Sequence, residues 1–407
     1  MQNMPSVILF DAPAVRTRLL PFTFTRPVSG IRCGILTLAE KWERWLPTPP
    51  TYLTERYLQH LYPRAASEAF LYIDGSLCPN QELVDTIINL PTETVLRSAK
   101  DRSVLAVHTT SATWKPDSST TPLTDHIFVG AYVSIQNLWD IYAQNGAQIV
   151  ADFALLTAHR RSAPITDPFT RCYAPENIFL EEGATVRAAI LNAEGGPIYI
   201  GRNALVSEGA TIQGPFAMGE GAIVAQGAKV RPYTTLGPYC KVGGEVSNSV
   251  LFGYSNKGHD GYLGNSVLGE WCNLGANTTN SNLKNDFTPV KLHSYATGQL
   301  ETTDRTFCGL FMGDYTKAGI CTMFNTGTVV GVNVNVFGAG FQPKHIPSFS
   351  WGGQAEGFAP YRLEKAVAVI RETMQQRQIN FTEEQEAVLR HLFEKNPKFV
   401  PTPPGGL

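Results

Sequence analysis

Aliphatic residues recur at every sixth position through the middle of the chain. Ile200, Val206, Ile212, Met218, Val224, Val230, Leu236 and Val242 keep this spacing without a break. Four residues after each aliphatic position stands a small or medium side chain: Ala204, Ala210, Phe216, Ala222, Ala228, Thr234 and Cys240. Glycine follows the aliphatic position at Gly201, Gly219, Gly237 and Gly243. Neither a 3.6-residue helix nor an alternating strand has a period of six. A triangular coil does: each hexad is one short strand and one turn, and three hexads close one coil. The aliphatic residue points inward and is buried against the coils above and below. The rhythm has an earlier fragment at Leu180 and Val186. It returns at Leu268 and Leu274, and again at Met312, Ala318, Phe324, Val330 and Val336. Interruptions at about 191–199, 244–262 and 280–309 are expected to leave the coil as loops and to build a binding face. The expected solenoid spans 177–345.

The ends of the chain differ in texture. Ser6–Phe10, Ala69–Ile73 and Ser103–Val107 read as strands. Ile35–Leu46 reads as an amphipathic helix, and Asn137–Leu156 as largely helical. Strands alternating with helices predict an α/β domain with a mainly parallel sheet over 1–170, followed by a linker at 161–168. After the solenoid, 350–407 is expected to be a helical extension that caps an exposed edge. Its last helix opens on the capping box Thr382-Glu-Glu-Gln385. The Pro- and Gly-rich segment Lys398–Leu407 is expected to fray.

Charge and cysteine usage narrow the function classes. With 33 basic and 35 acidic residues, the chain has no basic excess for nucleic-acid binding. No apolar run is long enough for a transmembrane helix, so no membrane partner is expected. The N-terminus lacks the pattern of a signal peptide. Seven scattered cysteines without a CxxC pair argue against a disulfide framework or structural zinc, and fit a reducing cytoplasm. No metal site is expected from the residues.

The segment richest in chemistry is Asn256–Asn282. Its Lys257-Gly258-His259, Tyr262-Leu263-Gly264, Leu268-Gly269, Asn273-Leu274-Gly275-Ala276 and Asn280-Ser281-Asn282 resemble the bifunctional N-acetylglucosamine-1-phosphate uridyltransferase/glucosamine-1-phosphate acetyltransferase family. They are closer still to the archaeal-type sugar-1-phosphate nucleotidyltransferases that share its tail. The resemblance implies a left-handed parallel β-helix and a homotrimer, with acetyl-CoA or another acyl-CoA lying along the prism at the trimer interface. It implies His259 as general base, with Tyr262, Asn273 and Asn282 on the sugar. Acyl transfer from a thioester needs a base of near-neutral pKa, and histidine is suited to this. His259 is expected in an insertion between coils. The family's phosphate-binding Lys, in E-x-K-x-S, is absent: Ser247 or Asn248 stands there in Glu245–Ser249. Its Arg-Pro survives as Arg231-Pro232, leaving Arg231 as the phosphate ligand. The family's Gly-Ala-Gly-Thr reads Gly275-Ala-Asn-Thr278.

Thr17–Pro27, with its Arg18-Leu-Leu-Pro21, resembles part of the signature of the nucleotidyltransferase half. The preceding glycines are missing, and Pro13, Ala14 and Arg16 occupy that region. Glycines let backbone N–H groups approach a triphosphate, whereas proline has no N–H. Arg18, Arg26, Arg32 and Asp74 are the candidate nucleotide-binding residues, and Mg²⁺ with a nucleoside triphosphate is implied if this site is active. Three functions follow. The first is acyl transfer to a sugar phosphate or nucleotide sugar. The second is sugar-1-phosphate nucleotidyl transfer, with the solenoid as an oligomerisation stem. The third is a non-catalytic binding role in envelope sugar metabolism.

Overall fold

The six-residue rhythm builds three parallel sheets that close on one another as a prism. The first face runs in order through Ile178–Leu180, Ile198–Ile200, Phe216–Met218, Thr234–Leu236, Val250–Gly253, Val267–Glu270, Leu310–Met312, Thr328–Val330 and His345–Ile346. The second face runs from Thr185–Val186 to Ser350–Gly353, where Gly357–Pro360 adds an antiparallel edge. The third face runs from Arg171–Tyr173 to Tyr262–Gly264, with Thr279–Asn280 and Met323–Phe324 paired beyond it. The computed structural model describes residues 5–64, 69–117 and 123–395, so Lys398–Leu407 lies outside the described residues.

Register follows the hexads. Val206 pairs with Val224, and Val224 with Val242, each fully buried. One continuous core cluster runs from Ile178 to Ile346. The glycines after the inward aliphatic position have a steric cause. A Cβ on Gly201 would lie 2.5 Å from the carbonyl carbon of Gly219, and one on Gly237 would run into the Phe252 carbonyl. Neighbouring coils are held close by their ladder hydrogen bonds, leaving no room there for a side chain.

The interruptions resolve differently. Over 244–262 the prism continues. Its coil merely shortens: fifteen residues separate Leu236 from its partner Leu251, where eighteen separate Met218 from Leu236. His259 therefore occupies a corner of the prism, not an inserted loop. At 191–199 the coil lengthens slightly, with twenty residues separating Leu180 from its partner Ile200, and the segment after Asn280 leaves the coil. It carries an antiparallel hairpin, Lys291–His293 with Leu300–Thr302, and returns at Leu310. His293 in the hairpin stacks on His345 of the first face, with ring centroids 3.5 Å apart and planes within 6°. Burial pushes His345 down to about 3 and lowers His293 as well.

Contacts divide the chain into two units, 1–31 with 36–137, and 32–35 with 138–407. The helix Leu138–Thr157 thus goes with the solenoid, although the sequence pattern groups it with the N-terminal domain. The reason is the face it buries. Asn145 Nδ2 donates to the Tyr233 carbonyl at 2.8 Å, and its Oδ1 accepts from Thr235 Oγ1 at 3.1 Å. Residues 32–35 join through Gly34 N to Asn145 Oδ1 (2.7 Å) and Ile35 N to Asp152 Oδ2 (2.8 Å). The C-terminal helices, Leu363–Gln375 and Glu383–Lys395, reach the solenoid's side. Arg377 donates to the Tyr239 carbonyl (2.7 Å) and to Asn256 Oδ1 (3.1 Å). The Thr382/Gln385 capping box forms as expected.

The N-terminal unit is a six-stranded sheet in the order Thr51–Leu53, Ser6–Phe10, Phe70–Asp74, Val104–Thr109, Thr94–Ser98, Thr124–Phe128. It is mixed where the sequence predicts mainly parallel pairing. Val104–Thr109 runs antiparallel to both neighbours. Only five residues separate it from Thr94–Ser98, too few for a crossover helix. The helix predicted over 35–46 forms as Leu38–Trp45, capped by a Thr37/Glu40 box.

Two outcomes are expected. Gly237→Ala should cost at least about 1–3 kcal/mol through backbone overlap. Gly227→Ala, at φ +67° with nothing within 4 Å, should cost only about 1–2 kcal/mol of backbone strain. Denaturant melts of both variants check the difference. Because His345 binds its proton less readily folded than unfolded, stability should fall as pH drops from about 6.5 towards 3. His345→Phe, which keeps a ring there and cannot charge, should flatten that slope in melting temperatures measured across the window.

Candidate functional site

The corner between the second and third faces carries His259. Asn256–Lys257 is a second-face strand, and Tyr262–Gly264 opens the next strand of the third face. His259 is exposed, and among the described residues its imidazole makes no hydrogen bond. What holds the turn is Lys257. Its register partner on the preceding coil is Val242, so an inward hexad slot here contains a lysine that is 2% exposed. Its Nζ donates to the Gly243 carbonyl at 2.9 Å and to the His259 carbonyl at 2.6 Å. Burial lowers its pKa to about 8, partly offset by Asp260. The corner also stacks on the next coil, where Asn277 N donates to the Asp260 carbonyl at 3.0 Å.

Two of the sugar-contact candidates meet directly. Asn282 Nδ2 donates to the Tyr262 hydroxyl at 3.0 Å and to Asn265 Oδ1 at 2.7 Å. Burial raises the Tyr262 phenol, and the Asn282 bond opposes this. Asn280 fixes the spacing from inside the prism. Its Oδ1 accepts from Gly264 N at 2.9 Å, and its Nδ2 donates to the Gly264 carbonyl at 3.1 Å. Its side chain thus replaces backbone ladder bonds where the chain departs for the insertion. Arg231 lies on the third face, exposed, 3.2 Å from Glu245, whose register partner is Tyr262. It also lines a 410 Å³ groove with Tyr173, Gln213 and Lys229. Asn273 lies on the second face, paired in register with Asn256 and Lys317.

The N-terminal candidates scatter. Arg18 donates to the Gln136 carbonyl (3.0 Å) and to Gln136 Oε1 (2.6 Å). Arg26 is buried, and its carbonyl accepts from Arg16. Arg32 belongs to the solenoid unit, where it donates to the carbonyls of Phe252 (3.0 Å) and Ile35. Asp74 ends its strand beside Phe10, and burial raises its carboxyl to about 6. Asp11, one residue past Phe10, adds to that shift and pairs with Arg16 at 2.8 Å. Arg16 also reaches the Thr23 and Arg26 carbonyls, Thr54 Oγ1 and the Tyr57 hydroxyl. It thereby closes the 11–27 loop on itself.

Lys257, Asn265, Asp11 and Arg16 were not among the sequence candidates. For Lys257 a signal existed, since a lysine in an inward hexad slot breaks the aliphatic pattern. Asn265 left none, because its partner Asn282 lies a full coil away; Asp11 and Arg16 are only five residues apart, but no local spacing rule marks them as a pair.

Residues 7–161 match the family model described as sugar nucleotidyl transferase. The chain is 38% identical over 108 residues to the Bifunctional protein GlmU of Methanocaldococcus jannaschii, covering 26% of each chain. It is 34% identical over 144 residues to the Bifunctional sugar-1-phosphate nucleotidylyltransferase/acetyltransferase of Sulfurisphaera tokodaii, covering 35% of each. It is 28% identical to the Uncharacterized acetyltransferase YaiX of Escherichia coli, over 41% of this chain and 73% of that one. The matched part is about a quarter to a third of the length of the bifunctional relatives. These matches bear out the resemblance to the bifunctional sugar-1-phosphate nucleotidyltransferase/acetyltransferases.

Lys257→Met should leave the solenoid folded, because removing a buried cation in favour of an apolar chain of similar volume is often neutral or stabilising. The turn at 258–261 should lose amide protection in hydrogen-exchange mass spectrometry. The folded lysine loses its proton near 8, below its unfolded value of 10.5. The parent should therefore gain stability relative to the variant as pH rises from about 8 to 10.5, visible as converging melting temperatures.

Proposed function

We propose, on the premise that the chain is a divergent relative of the bifunctional sugar-1-phosphate nucleotidyltransferase/acetyltransferases, that it transfers an acyl group from an acyl-CoA to a sugar phosphate or nucleotide sugar at the His259 corner. One observation carries this reading. An exposed histidine with an uncommitted imidazole sits on a turn fixed from within by Lys257. The strand that follows opens on Tyr262, hydrogen-bonded to Asn282. This is an acid–base group beside a preset polar surface, which acyl transfer to a hydroxylated acceptor requires.

In this reading His259 is the general base. An acceptor amine or hydroxyl attacks the thioester carbonyl, and its proton passes to the imidazole as the new N–C or O–C bond forms. The C–S bond then breaks, and the imidazolium returns the proton to the departing thiolate of CoA. A backbone N–H receives the oxyanion. Tyr262, Asn273, Asn282 and Arg231 hold the acceptor. The corner column rising from His259 passes through Ile320, 74% exposed, which offers a pantetheine chain apolar contact. Acetyl-CoA is the donor that the relatives' names support. A homotrimer of left-handed prisms supplies the cleft between neighbours. Seven free thiols suit a cytoplasmic location, and no described helix is long and apolar enough to cross a membrane.

Nucleotidyl transfer is the second reading, favoured by the match over 7–161. The residues fit a Mg²⁺–triphosphate poorly. Among the described residues no three His, Cys, Asp or Glu side chains gather as a metal site. Asp11 is ion-paired to Arg16, and the neighbouring Asp74 carboxyl is raised by burial and lies in the field of Arg18.

His259→Ala should lower acyl transfer from acetyl-CoA to an amino-sugar phosphate by about 10²–10⁴, with an unchanged circular dichroism spectrum and oligomeric state. Asn273→Ala should chiefly raise KM. Arg18→Ala should leave acyl transfer intact. Full activity in His259→Ala sinks the assignment. A parent inactive in acyl transfer but releasing pyrophosphate, with Arg18→Ala abolishing that release, gives the second reading precedence.

A further inference from the structure

A cavity of about 540 Å³ opens in the solenoid unit beside the sugar-contact residues. Its walls come from three places. The helix Leu138–Thr157 contributes Tyr142, three consecutive prism corners contribute Tyr233, Asn248 and Asn265, and the returning insertion contributes Arg305 and Phe307. The volume is within the range of small-molecule sites.

The construction of the walls is specific. Tyr233, Asn248 and Asn265 all adopt left-handed backbone, at φ +65°, +44° and +49°, which stacks the three corners in one column. Asn265 N donates to the Ser247 carbonyl (3.1 Å) and Gly309 N to the Asn265 carbonyl (2.9 Å), so the insertion's return is docked on the column. The Tyr142 hydroxyl donates to the Phe307 carbonyl at 2.7 Å and anchors the returning segment from the helix side. Gly146 leaves the space Tyr233 occupies, since a Cβ there would meet the tyrosine ring.

The groups facing the cavity are chemically unfinished. Asn248 Oδ1 is buried and accepts no hydrogen bond among the described residues. Among the described residues Arg305 Nε is buried without a hydrogen-bond partner, and it lies 3.2 Å from the carboxylate of Asp304, the adjacent residue in the chain. A buried acceptor and a buried guanidinium N–H left unmade are costly, and a ligand that supplies a hydroxyl and an anion removes both costs. Tyr233 and Phe307 are each 49% exposed and offer flat apolar faces to a sugar ring. The cavity is also wired to the candidate site: Asn265 Oδ1 accepts from Asn282, which donates to Tyr262 as well.

We infer that this cavity is the phosphate subsite for the acyl acceptor, and that Arg305 supplies the cation that the strand 245–249 lacks. The inference rests on the acceptor being a phosphorylated sugar, as proposed above. The insertion brings a guanidinium into the cavity that Asn248 lines. A guanidinium meets phosphate oxygens through paired N–H donors, Asn248 accepts from a sugar hydroxyl, and the two rings flank the sugar. The ligand class is a hexose or hexosamine phosphate monoester.

Calorimetric titration of the full chain with a hexosamine 1-phosphate, the unphosphorylated hexosamine and the corresponding UDP-sugar tests this. Arg305→Gln should weaken binding of the monoester at least 10-fold and leave the weak binding of the unphosphorylated sugar unchanged. Arg305→Lys should recover part of the loss. Inorganic phosphate should compete in the parent and fail to compete in Arg305→Gln. Circular dichroism and melting temperature confirm that the variants fold. Binding of the monoester by Arg305→Gln at parent affinity overturns the inference, most directly if Arg231→Gln abolishes it instead. So does a parent that binds no phosphorylated sugar, or one that binds the UDP-sugar through Arg305 in preference to the monoester. A parent that binds the monoester through Arg305 yet transfers no acyl group leaves the subsite standing and removes the acyl-transfer reading. A parent that transfers acyl groups to a sugar phosphate, with Arg305→Gln unimpaired, does the reverse.

Discussion

The close approach of successive coils governs this structure. Each coil's backbone is hydrogen-bonded to the coil before and after it along three faces, so every inward side chain must fit a triangular interior of fixed width. Aliphatic residues fill it at the middle of each face, and small residues or threonines fill it near the corners. Where the chain turns past its neighbour only glycine fits, as at Gly201, Gly219 and Gly237. The helix Leu138–Thr157, the insertion and the C-terminal helices are attached to this scaffold and draw their positions from it.

The candidate chemistry lies where the interior rule is broken. Lys257 and Asn280 occupy inward slots that elsewhere hold Val, Ile, Leu, Met, Phe or Ala. Both spend their polar groups on backbone: Lys257 on the turn of His259, and Asn280 on the strand that begins with Tyr262. A buried polar group is tolerated only when it is satisfied. Here its satisfaction also fixes a corner or a strand end. The shortened coil at 236–251 and the excursion after Asn280 bracket the same region. The departures from regularity thus cluster in neighbouring coils at the two ends of the third face, and the regular coils before them give that region a rigid base.

The N-terminal unit follows a different logic. Its strand ends place Asp11 and Asp74 together, but Arg16 fills the loop that follows the first strand and bonds to five partners there. Pro13 opens the short helix of that loop without an N–H to offer. A loop satisfied from within by its own guanidinium has fewer free donors for an incoming phosphate chain than a glycine-rich one.

The period of six determined the prism, its inward residues and its register, because burying a side chain at every sixth position leaves a coil of three short strands as the packing solution. Local signals likewise marked the helix 138–157 and the capping box at Thr382, whose partners are three or four residues apart. The same period marked 244–262 as an interruption. Tertiary structure alone decided that it is a shorter coil, and that His259 stands at a corner. Only the fold showed that the helix 138–157 is bound to the solenoid, that the sheet of the first unit is mixed, and that Arg32 is committed to Phe252. It also decided the meeting of Asn248, Asn265 and Arg305, residues that no spacing links. Periodicity reports what each coil needs of its neighbour, and it is silent where an insertion folds back on a distant coil, because that docking depends on which surfaces happen to be complementary in space.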